Sequence, residues 1–302
     1  MQSSAKRDII PGRGLFQPGR DQFWWALVLV PVALVVALYV APIINVLMIA
    51  FTQPDKGLES APLGNFSVLF TEPAIGRMLW RTAKICCLTT VLAVFLGYIV
   101  AYVMAGVSDR HRSFMLLCIM IAFWMSVLIR TFSWLVLLRN GGFVHSFANE
   151  IYTAMWGGTT PLTLSRTEFS VLVGMVHFML PLAILPLYIA TSSIDRRTIQ
   201  ASRSLGANAW QTFWLVAFPQ TVPGIQGAAT IVFVFSLGFY VTPALLGGGK
   251  VVMIAEYMSF AIQQTMRWGL ATMLATVLLF SVAVTLIVAS KFVNISKLYG
   301  AK

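Results

Sequence analysis

The chain has 302 residues, of which 58% are hydrophobic and 10% charged, with a mean hydropathy of +0.82. Soluble domains carry roughly 25% charged residues, so a soluble globular fold is excluded and the bilayer is the solvent for much of the chain. The net charge of +11 suits either nucleic acid or orientation in a membrane; the basic residues gather between apolar runs, so no nucleic-acid partner is expected.

Residues 1–22 form a polar tail containing Gly and Pro. The apolar run 23–51 that follows is far longer than the ~7–15 residues of a signal-peptide core, which predicts a retained span. Further apolar runs at 82–104, 114–138, 170–190, 221–245 and 269–290 each reach the ~20 residues that a helix needs to cross ~30 Å of hydrocarbon. The predicted fold class is an all-α membrane protein, with six transmembrane helices in residues 23–290 and a short tail at 291–302. An even number of spans puts both termini on one face, together with segments 105–113 and 191–220. Twelve Lys and Arg fall on that face and eight on the other, with Arg130 alone inside a span; this excess predicts cytoplasmic termini. Cys86, Cys87 and Cys118 lie in apolar runs without zinc or disulfide spacing and read as small buried hydrophobes. No internal repeat is visible.

Connections 52–81, 139–169 and 246–268, on the opposite face, are long for plain turns and leave room for a partner. In the last, Gly247, Gly248 and Gly249 precede an apolar-rich stretch. Two readings stay open there: a short helix dipping back into the protein, or a solvated loop. Arg130 lies about eight residues from the outer end of its span, within reach of the surface or of a carboxylate in a neighbouring loop. His177 reads as a neutral residue packed beside Pro181. Every Asp and Glu falls outside the six runs, which weakens an ion-coupled secondary transporter, the alternative from another class. His111, His145 and His177 are scattered, and no Ser/His/Asp set is evident, so no enzymatic chemistry is expected.

Segment 191–220 carries the densest pattern. Ile194, Thr198, Ala201 and Leu205 share one helical stripe, and Gly206 follows as a residue that tolerates positive φ where a helix stops. Asn208 and Gln211 have capping-box spacing. Trp210, Phe213, Trp214 and Ala217 continue the helical period, and Pro219 is expected to end the second helix. A compact pair of helices follows, held by aromatic packing, with Arg196, Arg197 and Arg203 facing solvent. From these residues two roles stay open: a rigid surface that transmits force, or an interfacial loop whose arginines meet anionic lipid head groups.

The segment resembles the cytoplasmic coupling motif of binding-protein-dependent ABC importer permeases: Glu-Ala-Ala, three residues, Gly, nine residues, Ile, one residue, Leu-Pro. The matching positions are Gln200, Ala201, Ser202, Gly206, Val216, Phe218 and Pro219. Spacing is kept, with Gln for Glu, Ser for the second Ala, Val for Ile and Phe for Leu. Residues 97–105, 124–134, Leu180 with Pro181, 186–188, 223–225 and 239–248 are similar to the spermidine/putrescine branch of these permeases, its first-permease type.

The resemblance implies a type I importer permease (MetI-like) bundle in the bacterial inner membrane, in contact with membrane lipid. It implies as partners a second permease subunit, a periplasmic solute-binding protein and a cytoplasmic ABC ATPase dimer. The groove of that ATPase would receive the helix pair through Arg196, Arg197, Gln200, Ala201, Ser202, Gly206 and Pro219. No cofactor is then bound by this chain, ATP and Mg being used by the ATPase. In keeping with that, Gly249 and Lys250 are followed by Val251, and Ala244 stands where the phosphate loop G-x-x-x-x-G-K-[ST] needs its first Gly. The implied cargo is a polyamine or related amine; opine, aminophosphonate, amino-acid-like and iron importers share much of the pattern. An acid-free route holds a cation weakly, through aromatic faces and carbonyls, and Trp124, Arg130, Trp134, Phe239 and Tyr240 are the candidate path residues.

Overall fold

The computed structural model describes residues 18–55, 64–157 and 163–292; most of the predicted tails 1–22 and 291–302 lies outside them. Two units are distinguished, residues 1–48 and 49–302. The first holds most of helix α1 (Pro18–Thr52), an apolar helix that carries Pro31 and Pro42. The second contains, in order, α2 (Val68–Thr71), α3 (Pro73–Gly106), α4 (Asp109–Trp124), α5 (Val127–Leu138), α6 (Phe143–Trp156), α7 (Glu168–Ser192), α8 (Arg196–Ser204), α9 (Ala209–Thr212), α10 (Phe218–Leu237), α11 (Ile254–Gln263) and α12 (Trp268–Phe292). Six helical stretches among the described residues are long and apolar enough to cross a membrane.

Helices α3, α7 and α10 form the centre of the second unit. α3 and α7 run parallel: Lys84 pairs with Glu168 at 2.7 Å near one end, and the Thr191 hydroxyl donates to the Ala101 carbonyl at 3.2 Å near the other. α10 runs back against α7, so that Gly224 faces Ala190 and Phe239 lies 4.5 Å from Phe178. Ala93, Ala101, Ala183 and Ala228 are buried between these helices with Met179, Leu187 and Val232. Such small residues are what lipid-embedded packing requires, because tails as apolar as Leu give helices no hydrophobic reason to associate. Gly224 marks the closest approach: a Cβ there would stand 2.2 Å from the Ala190 Cβ.

The third predicted span, 114–138, is interrupted. α4 ends at Trp124, Met125 and Ser126 are extended (ψ 136° and 135°), and α5 starts at Val127. At ~1.5 Å per residue α4 alone reaches only ~24 Å, short of a full crossing, and it is not among the stretches long and apolar enough to cross. The qualifying apolar window nevertheless runs Val127–Met155, across a tight turn closed by the Gly142 amide on the Arg139 carbonyl at 2.7 Å. α5 ends beside the connections that precede α7 and follow α10, where Arg139 shares a cavity with Thr167 and Lys250.

The last long connection resolves as the helix rather than the solvated loop. Gly248 turns the chain in the left-handed region (φ +53°). Met253 is buried with Ile85, Val171, Met175 and Leu246, and the Ile254 amide donates to the Thr82 hydroxyl at 3.0 Å. Asp55 caps the following span, accepting from the amides of Gly269 (3.0 Å) and Leu270 (3.2 Å) and from Arg267 Nε (3.1 Å). Asn65 braces that cap, taking the Asp55 amide at 2.9 Å and donating to the Ala50 and Gln53 carbonyls. The cysteine expectation is corrected in part: Cys86 is buried, but Cys87 and Cys118 are exposed, since an apolar residue of a span can face lipid as readily as protein.

Candidate coupling surface and transport path

Past α7, Asp195 caps α8: its side chain accepts from the Arg197 amide at 2.8 Å. α8 ends in a paired closure, with the Gly206 amide on the Arg203 carbonyl (3.0 Å) and the Ala207 amide on the Ser202 carbonyl (3.1 Å). This closure needs a left-handed residue at the corner, and Gly206 supplies it at φ +88°. The expected capping box is present: the Gln211 amide donates to Asn208 Oδ1 at 2.8 Å, and the Asn208 amide to Gln211 Oε1 at 3.0 Å. Ser202 and Thr212 hydroxyls meet at 3.1 Å across the corner, and Gln220 Nε2 donates to the Thr198 hydroxyl at 3.3 Å. The two arms are thereby fixed to each other.

Two expectations about this segment are corrected. Pro219 does not end a helix: helical structure continues from α9 through a π turn at Phe213–Ala217 into α10, with Pro219 in its first turn. Proline has no amide hydrogen and leaves the Leu215 carbonyl without its usual donor, and the Phe218 amide bonds five residues back to Phe213. The predicted stripes turn inward only in part: Ala217 is buried and Ile194 and Phe213 partly so, whereas Leu205 is 89% exposed and Trp210 70%. Arg196, Arg197, Gln200 and Ala201 are exposed as well.

Aromatic packing does hold the corner, but against a helix that the pattern of the segment alone does not single out. Phe213 makes edge contacts with Trp214 (5.2 Å) and Tyr102 (5.4 Å), and Phe218 lies 4.9 Å from Trp214 and 6.0 Å from Tyr98. The Tyr98 and Thr221 hydroxyls meet at 3.1 Å. Tyr98 and Tyr102 stand four residues apart on α3, one turn above the other. That spacing is the available sequence signal for this anchor.

The structure separates the candidate path residues. Arg130 is buried, 4% exposed, and no carboxylate meets it among the described residues. Its Nη2 donates to the Ala122 and Met125 carbonyls, at the broken end of α4. Its guanidinium lies 5.1 Å from the centre of the Phe178 ring, and Phe178 packs on Phe239. The Thr131 and Thr242 hydroxyls join α5 to the segment that follows α10 at 3.1 Å. Trp134 donates its indole N–H to His177 Nδ1 at 3.0 Å, so that nitrogen of the imidazole is unprotonated. Trp124 and Tyr240 are exposed and stand outside this cluster.

The model of the family described as binding-protein-dependent transport system inner membrane component matches residues 93–293. The spermidine/putrescine transport system permease protein PotB of Haemophilus influenzae is 29% identical over 248 residues, 80% of this chain and 85% of that protein. The inner membrane ABC transporter permease protein YdcU of Escherichia coli K12 is 28% identical over 252 residues, 78% of this chain and 76% of that one. A chain of a bacterial alginate ABC transporter, crystallised with an alginate-bound periplasmic protein, superposes with a TM-score of 0.68 at 18% identity, covering 91% of this chain and 94% of that chain. The matched region spans the coupling corner, the helices that anchor it and the last crossing, and on that ground the chain belongs to the binding-protein-dependent inner-membrane family, as a multi-pass permease subunit of an ABC importer.

Proposed function

We propose that this chain forms a solute pathway together with a second permease, docks an ABC ATPase dimer on residues 194–219 and receives cargo from a periplasmic solute-binding protein at the opposite end. Both termini face the cytoplasm, in keeping with the excess of Lys and Arg on their side. The observation that carries the reading is a corner at Gly206 that hydrogen bonds and rings hold rigid and tie to the core helices. Leu205, beside that corner, is 89% exposed; Trp210 and Leu215 are exposed too, but within a stretch apolar enough to cross a membrane, where lipid covers such groups as readily as a partner does. Arg196 and Arg197 open the first arm of the corner and Gln200, Ala201 and Ser202 follow on it; Gly206 sets the angle and Pro219 belongs to the link into α10. ATP and Mg serve the ATPase, and this chain binds no cofactor.

The cargo is an amine of the spermidine/putrescine class. Likeness to PotB over most of the chain supports this; a conduit that holds cations weakly would leave selection to the binding protein. Trp124 and Tyr240 offer exposed aromatic faces for such contact, whereas Arg130 and Phe239 serve the internal frame. The test is ATP-driven uptake of labelled spermidine into vesicles containing the assembled importer, with putrescine, an opine and an aminophosphonate as competitors. Competition by putrescine alone is expected; uptake driven by a proton gradient without ATP contradicts the mechanism.

A further inference from the structure

The first turns of α3 carry more positive charge than their surroundings match. Arg81 and Lys84 share Glu168 at 3.2 and 2.7 Å, whereas Arg77, one turn earlier, meets neither an acid nor a hydrogen-bond acceptor among the described residues. Glu72, at the N-cap of α3, pairs with none of the three. Arg77 lines a cavity of about 280 Å³ with Arg81, Tyr257, Ala74, Met78 and Val252, between α3 and the start of α11, and no carboxylate lines it. Arg81 is committed only in part: Nε bonds Glu168 and Nη1 the Lys250 carbonyl at 3.4 Å, while Nη2 makes no bond among the described residues. The Tyr257 hydroxyl has no partner there either, although its ring is fixed by the core and by Phe260 at 6.3 Å. One hollow therefore presents a whole guanidinium fork, a further guanidinium N–H and a phenol, which together suit the oxygens of a phosphate.

The depth of the hollow identifies where that phosphate comes from. Residues 85–106 of α3 carry no charge and at ~1.5 Å per residue cover ~33 Å, about the thickness of the hydrocarbon core. Arg81 then stands ~6 Å beyond the edge of that core, inside the head-group layer of roughly 5–7 Å on each side, and Arg77 stands one turn further out, within reach of the same layer through its long side chain. Trp80, between the two arginines in sequence, is 73% exposed, and Phe70 is 84% exposed; aromatic rings gather at this level of a bilayer. The volume is below the ~300–1,000 Å³ of pockets that enclose a whole small molecule, so the hollow suits one head group and not a complete solute.

We infer that this cavity binds the phosphate of an anionic phospholipid, with the Arg77 fork on two of its oxygens and Arg81 Nη2 and the Tyr257 hydroxyl as further donors. The site goes beyond the importer reading and is independent of the cargo.

The test follows binding of short-chain phosphatidylglycerol to the complete importer in detergent by native mass spectrometry, for the wild type and for Arg77→Gln combined with Tyr257→Phe. Neither substitution touches the Arg81–Glu168 pair, and Phe keeps the ring of residue 257 in place. The double variant is expected to bind one lipid fewer at the concentration that fills the tightest wild-type site, with affinity for that site about ten-fold lower. Arg77→Lys, which keeps the charge and loses the fork, is expected to fall between the two. Arg77→Gln alone, at an exposed side chain without a partner, serves if the double variant fails to assemble. Equal lipid binding by wild type and variants overturns the inference. Displacement of the lipid by the same concentration of inorganic phosphate assigns the cavity to a soluble anion and overturns it too. In phosphatidylcholine vesicles free of phosphatidylglycerol, a variant that needs more binding protein than the wild type to stimulate ATP hydrolysis assigns the cavity to a protein partner, with the same consequence.

Discussion

Arg130 shows how a single charge is made tolerable inside a span. Its guanidinium takes up two carbonyls that the end of α4 leaves without amide partners, and Phe178 covers its face. Replacing it with Met strands those carbonyls in an apolar setting, at a cost of about 1–3 kcal/mol. Arg130→Lys is expected to recover part of this, since an ammonium lacks the planar fork. Thermal unfolding of the purified permease in detergent checks both, and a wild-type midpoint for Arg130→Met contradicts the role. Glu256, outside the spans, makes the opposite case. Burial holds its carboxyl above the usual carboxylate range, against a smaller opposing contribution from the Met253 backbone, and Oε2 has no hydrogen-bond partner. The fold therefore favours the protonated form: its contribution is complete below the unfolded value of about 4.3 and is lost as pH rises through the raised value. Glu256→Gln is expected to raise the unfolding midpoint at neutral pH and to leave it unchanged near pH 4. Neither environment could be read from the sequence. In place of the surface or the loop carboxylate that were both open for Arg130, its partners are backbone carbonyls beside the break four residues earlier.

Among the elements, periodicity and length located five of the spans, and punctuation located the corner, because Gly206, Asn208 and Gln211 act through bonds to residues three positions away. The break at Met125 and Ser126 left no comparable mark. Hydropathy is uninterrupted from 114 to 138 and the break contains neither Gly nor Pro, so only tertiary contacts with α7 and the Thr242 segment define it. Pro219 failed as a stop signal for the reverse reason: a proline in the first turn of a helix costs little, and a π turn absorbs its missing donor. Two element-level predictions follow from contacts of this kind. Gly224→Leu must push α10 from α7 at Ala190 and is expected to cost about 1–3 kcal/mol, read as a lower unfolding midpoint. Asp55→Ala removes the acceptor for two amides at the start of α12 and is expected to cost about 1–2 kcal/mol, with faster hydrogen exchange at Gly269 and Leu270 as its local signature.

For the molecule as a whole, the parallel pair α3 and α7, with α10 running back between its two ends, ties the corner at one end to the connections at the other. Tyr98 and Tyr102 are the rungs of that tie: they stand on α3 and grip the segment that continues into α10. A push on the corner is therefore delivered to two core helices together rather than to a loose loop. Gly206→Pro, which forbids the +88° corner, is expected to leave insertion and ATPase turnover largely intact while uptake falls at least ten-fold, on the order of 1.4 kcal/mol or more of lost coupling. The most direct measurement is site-specific photo-cross-linking from Leu205 in inside-out vesicles of the assembled importer. A cross-link to the ATPase chain, changing in yield when ATP is added, is the predicted result. A cross-link only to lipid, or a residue 205 reached by impermeant reagent from the periplasmic face alone, contradicts the claim that this corner carries the motion of the ATPase into the membrane.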